Sequence, residues 1–166
     1  MQACFIGHRT IEITEKLISS LEDTVLTLIE KGVNVFLFGS MSEFDNLSWE
    51  VVTKIKERFP LIKRIYVRSS YQFINESYKN YLLKSYEDTY LPKKIENAGK
   101  YSYVERNYEM INSSNFCVFY YNEKYEPKAK YQRKNNPLSP QRRNSGTKIA
   151  YNYALRKKKT IINLFK

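Results

Sequence analysis

The stretch Ala3-Cys4-Phe5-Ile6-Gly7-His8-Arg9 decides how the rest of the chain is read. Cys4, Phe5 and Ile6 form an apolar run too short for a helix and rich in residues that suit a sheet, which predicts a buried strand. Gly7 ends the run and permits either a sharp turn or the close approach of a ligand. His8, the single histidine of the chain, and Arg9 follow just past the carboxyl end of the strand. In open α/β sheets that edge is where ligands bind. The Arg9 guanidinium offers a planar fork of donors matched to phosphate or carboxylate. The simpler alternative is a surface turn with two polar residues, since loops are generally polar.

Outward from this strand the chain alternates helix and strand patterns. Residues 14–31 carry Leu17, Ile18, Leu21, Val25, Leu28 and Ile29 as one stripe at helical spacing. Thr14 is placed as N-cap, Glu15 suits the first turn, and Gly32 ends the helix. Residues 33–38 read as a buried parallel strand, interrupted only by Asn34 and closed by Gly39-Ser40. A second helix is predicted over 42–59, with Val51, Val52, Ile55 and Phe59 on one face and Pro60 as its stop. Ile65-Tyr66-Val67 forms the centre of a third strand. Three strands joined by two helices predict right-handed βαβ crossovers and a parallel sheet. Further on, 103–113 reads as a helix striped by Val104, Tyr108 and Ile111, and 116–121 as the fourth strand. The last helix covers 146–156 with Ala150, Tyr153 and Ala154 inward, and 160–164 is the fifth strand.

Two stretches break the rhythm. Residues 71–99 suggest a helix over 75–86 and then a loop over 89–99 with Pro92 and Gly99 as breakers. Tyrosine is concentrated from Tyr71 to Tyr103. Its flat apolar face and polar tip suit a pocket wall, a lid packed on the sheet edge, or a surface for a second copy of the chain, and these three stay open. Residues 122–145 hold Lys124, Lys128, Lys130, Arg133, Lys134, Arg142 and Arg143, while Pro127, Pro137 and Pro140 argue against regular structure. That stretch reads as a solvated basic loop.

The 166 residues fit one domain over 1–166, with no internal repeat and no linker. Lys and Arg outnumber Asp and Glu by 28 to 17, a net charge of +11 that favours an anionic partner without separating nucleic acid from a small phosphate. Cys4 and Cys117 lie in strand patterns and are expected as buried free thiols, which suits a reducing compartment. No apolar run approaches a membrane span and no signal-peptide pattern precedes the first strand, so the protein is expected to be cytoplasmic. One histidine and two strand cysteines cannot assemble a usual zinc site. Neither a Walker lysine motif nor a Gly-x-Gly-x-x-Gly fingerprint occurs, and no nucleophile elbow supports a Ser-His-Asp system through His8. Neither metal nor cofactor is expected.

These patterns predict an α/β fold: a single Rossmann-like domain with a five-stranded, mainly parallel sheet in the order 3-2-1-4-5. Helices would cover both faces, and the tyrosine-rich insertion would follow strand 3. The connections after strands 1 and 4 then leave in opposite directions, and a crevice opens at that switch point. Gly7-His8-Arg9, Gly39-Ser40 and Asn122-Glu123 border it. Ser145-Gly146-Thr147 would bring the N-terminus of the last helix to the same edge, and such a terminus binds anions. Alone, Ser-Gly-Thr would serve as a plain N-cap; four turns meeting at one edge point to a ligand site.

Four motifs carry a resemblance: Cys-Phe-Ile-Gly-His-Arg at 4–9, Phe-Gly-Ser-x-x-Glu-Phe-Asp at 38–45, Arg106-Asn107-x-x-Met110-Ile111, and Ser145-Gly146-Thr147. Together they resemble the SLOG superfamily, more narrowly its DUF1273 or YpsA-like branch, over nearly the whole chain. The resemblance implies a Rossmann-like fold that binds nucleotides or nucleotide-derived ligands. It places the ligand among Gly7, His8, Arg9, Gly39, Ser40, Arg106, Asn107, Ser145, Gly146 and Thr147. Some relatives sense or sequester NAD-derived signals in phage defence, and others bind single-stranded DNA. The "lonely guy" relatives hydrolyse nucleoside monophosphates and carry Pro-Gly-Gly-x-Gly-Thr-x-x-Glu at the last helix. Here Ala150 stands where that glutamate would be, and the two extra glycines are absent. A glycosidic bond to ribose breaks through a cationic transition state that a carboxylate stabilises. Asp45, Glu43 and Glu123 remain as substitutes, so hydrolysis is weakened as a reading. The first reading is therefore a binder of an ADP-ribose-like or NAD-derived molecule, as sensor or sponge. A nucleotide hydrolase comes second. A single-stranded nucleic-acid binder using the basic loop and the tyrosines comes third.

Overall fold

A computed structural model describes residues 1–39, 42–69, 76–125 and 145–166. Its elements are β1 (Gln2–Gly7), α1 (Glu15–Glu30), β2 (Val35–Phe38), α2 (Glu43–Lys56), β3 (Lys63–Val67), α3 (Glu76–Leu82), β4 (Asp88–Tyr90), α4 (Ser102–Ser113), β5 (Phe116–Tyr120), α5 (Gly146–Arg156) and β6 (Thr160–Asn163). Two short 3-10 turns, Lys93–Asn97 and Gly99–Tyr101, lead into α4. The six strands lie in the order β4-β3-β2-β1-β5-β6, and every pairing is parallel.

Period-two alternation sorts β1 onto two cores. Ala3 and Phe5 face the core filled by Leu21, Val25 and Leu28 of α1 and Phe44 and Val52 of α2. Cys4 and Ile6 face the opposite core, closed by Met110 and Ile111 of α4 and Ala150 and Ala154 of α5. Phe5 stacks on Phe36 and Phe38 of β2 at centroid separations of 5.9 and 5.2 Å. Cys4 and Cys117 are register partners on β1 and β5, both free and buried. Three helices begin at hydroxyl caps. The side chains of Thr14, Ser42 and Ser145 accept from the amides of Leu17, Asp45 and Lys148 at 3.1–3.2 Å.

The expected order of five strands is present, with one correction: the sheet has a sixth strand, β4, inside the stretch assigned as loop. Two contacts from distant residues hold it. Glu87 accepts from the Arg64 amide at 2.6 Å and from its guanidinium at 2.7 Å, and the Thr89 hydroxyl donates to the Tyr66 carbonyl at 2.8 Å. The tyrosine-rich insertion thus wraps the β3 edge, with Tyr78 and Tyr86 packed on the α1–α2 core and Tyr90 on the α4–α5 core. Tyr71 and most of the basic loop (126–143) lie outside the described residues. Among the described residues no helix is long and apolar enough to cross a membrane.

Candidate functional site

Three connections meet at the carboxyl edge of the sheet. The Thr147 hydroxyl donates to the Gly7 carbonyl at 2.8 Å, fastening the start of α5 to the end of β1. The Glu43 amide donates to the Arg9 carbonyl at 2.9 Å, fastening the start of α2 to the turn after β1. Gly7 is required by packing: a Cβ there would overlap the Phe44 side chain. The first-turn amides of α5 have no partner within the helix and give its N-terminus a partial positive charge. The Arg9 side chain is exposed and makes no hydrogen bond or ion pair with the described residues. Gly7, Arg9, Ser145, Gly146 and Thr147 therefore share one edge. Ser40 lies outside the described residues.

His8 is only 1% exposed. Its ring stacks on Tyr125 with centroids 3.8 Å apart, and the Asn122 amide donates to Nε2 at 2.9 Å. Nε2 also lies 3.1 Å from the Asn122 carbonyl, so the backbone of Asn122 offers this nitrogen both a donor and an acceptor, while Nδ1 has no partner among the described residues. Burial pushes the imidazole pKa down from 6.5 to about 4, so the ring is neutral at pH 7. In the unfolded chain the ring binds its proton more readily. Stability from the neutral ring is thus complete above pH 6.5 and is lost as pH falls towards 4. The Asn122 carbonyl, which a protonated ring could donate to, offsets only part of this burial effect. We expect acidification from neutral pH to about pH 4.5 to cost His8→Gln less melting temperature than wild type, with roughly 2–3 kcal/mol at stake. Equal losses in thermal melts of the two proteins would refute the assignment.

Arg106, on α4, is 6% exposed. Its guanidinium donates to the Gly39 carbonyl, to the Ser69 hydroxyl at 3.2 Å and to Asn107 Oδ1 at 3.0 Å. A Cβ on Gly39 would stand 2.7 Å from Arg106 Cδ and from Met110 Sδ, so this glycine too is a packing requirement. Burial lowers the guanidinium pKa, while the negative charge of the buried Asp45 opposes the shift. Arg106 and Asn107 thus brace the end of β2 from below the edge.

The three carboxylates are spread apart in role. Glu43 accepts from the Ile11 amide at 2.8 Å, Asp45 is 2% exposed in the first turn of α2, and Glu123 is exposed. Ala150 is 1% exposed on the core face of α5. Sequence reasoning missed the Thr147–Gly7 latch, the Phe44 contact and the Tyr125 stack on His8. It also missed Tyr103, whose ring lies 3.3 Å from the position of a Cβ on Gly146 and so flanks the start of α5. The only signals for these were a threonine, a phenylalanine and a tyrosine at the second positions of α5, α2 and α4, and a tyrosine shortly after β5.

A parallel sheet with this strand order and three turns latched together at its switch point define a Rossmann-like α/β protein. Within that class the chain belongs to the YpsA family of the SLOG superfamily: the family model described as the YspA SLOG family matches residues 6–151. Membership suggests a nucleotide-derived ligand or a lonely-guy-like function. No curated protein matches the chain.

Proposed function

We propose that the protein binds a nucleotide-derived anion, of the ADP-ribose or NAD-derived kind, at the carboxyl edge of β1 and β5, and acts as its sensor or sponge. The observation that carries this reading is the 2.8 Å bond from Thr147 to the Gly7 carbonyl, which sets the N-terminus of α5 beside the turn bearing the exposed Arg9. A helix N-terminus and a guanidinium on two sides of one phosphate reinforce each other. Binding is favoured over hydrolysis because the position of the lonely-guy glutamate is a core alanine and Glu43 already accepts a backbone amide.

The test is a melting screen of nucleotides and NAD-derived compounds at millimolar concentration. A ligand present at about 100 times its Kd stabilises by about 2.7 kcal/mol, so we expect a rise of several degrees with an ADP-ribose-like compound. No stabilisation by any of them would remove the proposal. In the same preparation we expect overnight incubation with AMP to release no adenine by chromatography. Clear turnover that Asp45→Asn abolishes would establish the hydrolase instead.

A further inference from the structure

Away from the β1–β5 edge, α2 presents Asn46 and Glu50 one turn apart on one face, with Trp49 beside them. Tyr66 of β3, Tyr81 of α3 and Tyr86 close these into a pocket of about 390 Å³. That volume and an aromatic lining with a few polar groups are typical of small-molecule sites. The walls are held in place. The Trp49 indole N–H donates to the Ser85 carbonyl at 3.2 Å, and the Tyr86 ring stands 6.2 Å from Trp49 and 5.2 Å from Tyr66. Glu50 makes no ion pair with the described residues, and Tyr81 is 64% exposed at the rim.

We propose that this pocket is a base site for an adenine-type amino-purine, which deepens the reading of a nucleotide-derived ligand and rests on it in naming a base. Aromatic faces stack a flat ring whatever its sequence context. The Asn46 amide offers a donor and an acceptor side by side, the complement of the same pair on adenine. The Glu50 carboxylate accepts from the exocyclic amine and repels the carbonyl that hypoxanthine carries at that position. An organic cation suits the pocket less well. The Arg64 guanidinium carbon already lies 5.4 Å from the Trp49 ring centre, anchored by Glu87 at 2.7 Å, and would repel a second positive charge.

Trp49 is the chain's single tryptophan, so its emission reports on this pocket alone. Adenosine, which carries no phosphate, should quench it saturably, with inosine about tenfold weaker. Tyr81→Ala should weaken the adenosine effect about tenfold without changing the melting temperature, since stacking on one aromatic ring is of that size and the residue is exposed. Glu50→Ala should erase the preference for adenosine over inosine, and Arg9→Ala should leave the adenosine response as in wild type. Unchanged emission with both adenosine and ADP-ribose, while ADP-ribose still raises the melting temperature, would overturn the base site and leave the anion site standing. Quenching by adenosine with no added stabilisation from any phosphate-bearing nucleotide would support the base site and defeat the anion site. Quenching by tetramethylammonium in place of adenosine would overturn the base assignment.

Discussion

Arg106→Ala is expected to destabilise the ligand-free protein by about 3–5 kcal/mol, the range for breaking a buried charged cluster from one side. At this chain length that corresponds to a fall in melting temperature of roughly 10 °C. The guanidinium donates to Gly39, Ser69 and Asn107, so its removal strands a carbonyl and a buried amide side chain and opens a void beside Gly39. The buried Asp45 carboxylate also loses a favourable charge. Arg106→Lys should recover part of the loss, since an ammonium can still reach one acceptor but lacks the planar fork. If Arg106 served chiefly as a ligand contact, the alanine variant would melt like wild type without ligand and fail only in binding. Calorimetric melts of the three proteins separate these cases.

Arg9→Ala is expected to do the opposite. Its side chain is exposed and has no partner among the described residues, so ligand-free stability should be unchanged. A charge-assisted bond to a phosphate contributes about 1.5–3 kcal/mol, which converts to a loss of affinity of about ten- to a hundredfold. Calorimetric titration with ADP-ribose reads this directly. Unchanged affinity would remove Arg9 from the site, and a large drop in ligand-free melting would make it a structural residue. The pair of variants sorts two arginines that the resemblance placed together around one ligand: Arg106 is buried and braces the end of β2, and Arg9 is exposed and proposed as the ligand contact.

What was legible in the sequence was mostly local. The apolar run of β1, the helical stripe of α1 and the hydroxyl caps at Thr14 and Ser145 each declare themselves within a few residues, because strand burial and helix capping are short-range chemistry. The order of the central strands followed from alternation and crossover rules. β4 was not legible: three residues are too few to show a period, and Glu87 and Thr89 are held by Arg64 and Tyr66 from another strand. The fate of His8 was equally hidden. A histidine after a strand end looks open, and it is buried because Tyr125, far along the chain, stacks on it. Gly7 suggested room for a ligand and Gly39 a turn at the crevice, whereas Phe44 and Arg106 fill the space their missing side chains leave. Site geometry depends on such long-range contacts, so the sequence located the edge of the sheet and left open which groups there face outward.

We propose that a phosphate-bearing ligand lies between Arg9 and the start of α5. A crystal structure of the complex with ADP-ribose tests it most directly. The expected result is a pyrophosphate oxygen within hydrogen-bond distance of the Arg9 guanidinium and another within reach of the Gly146 or Thr147 amide, with the Thr147–Gly7 bond intact. Phosphates seated elsewhere on the protein, with this edge unchanged and unoccupied, would contradict it.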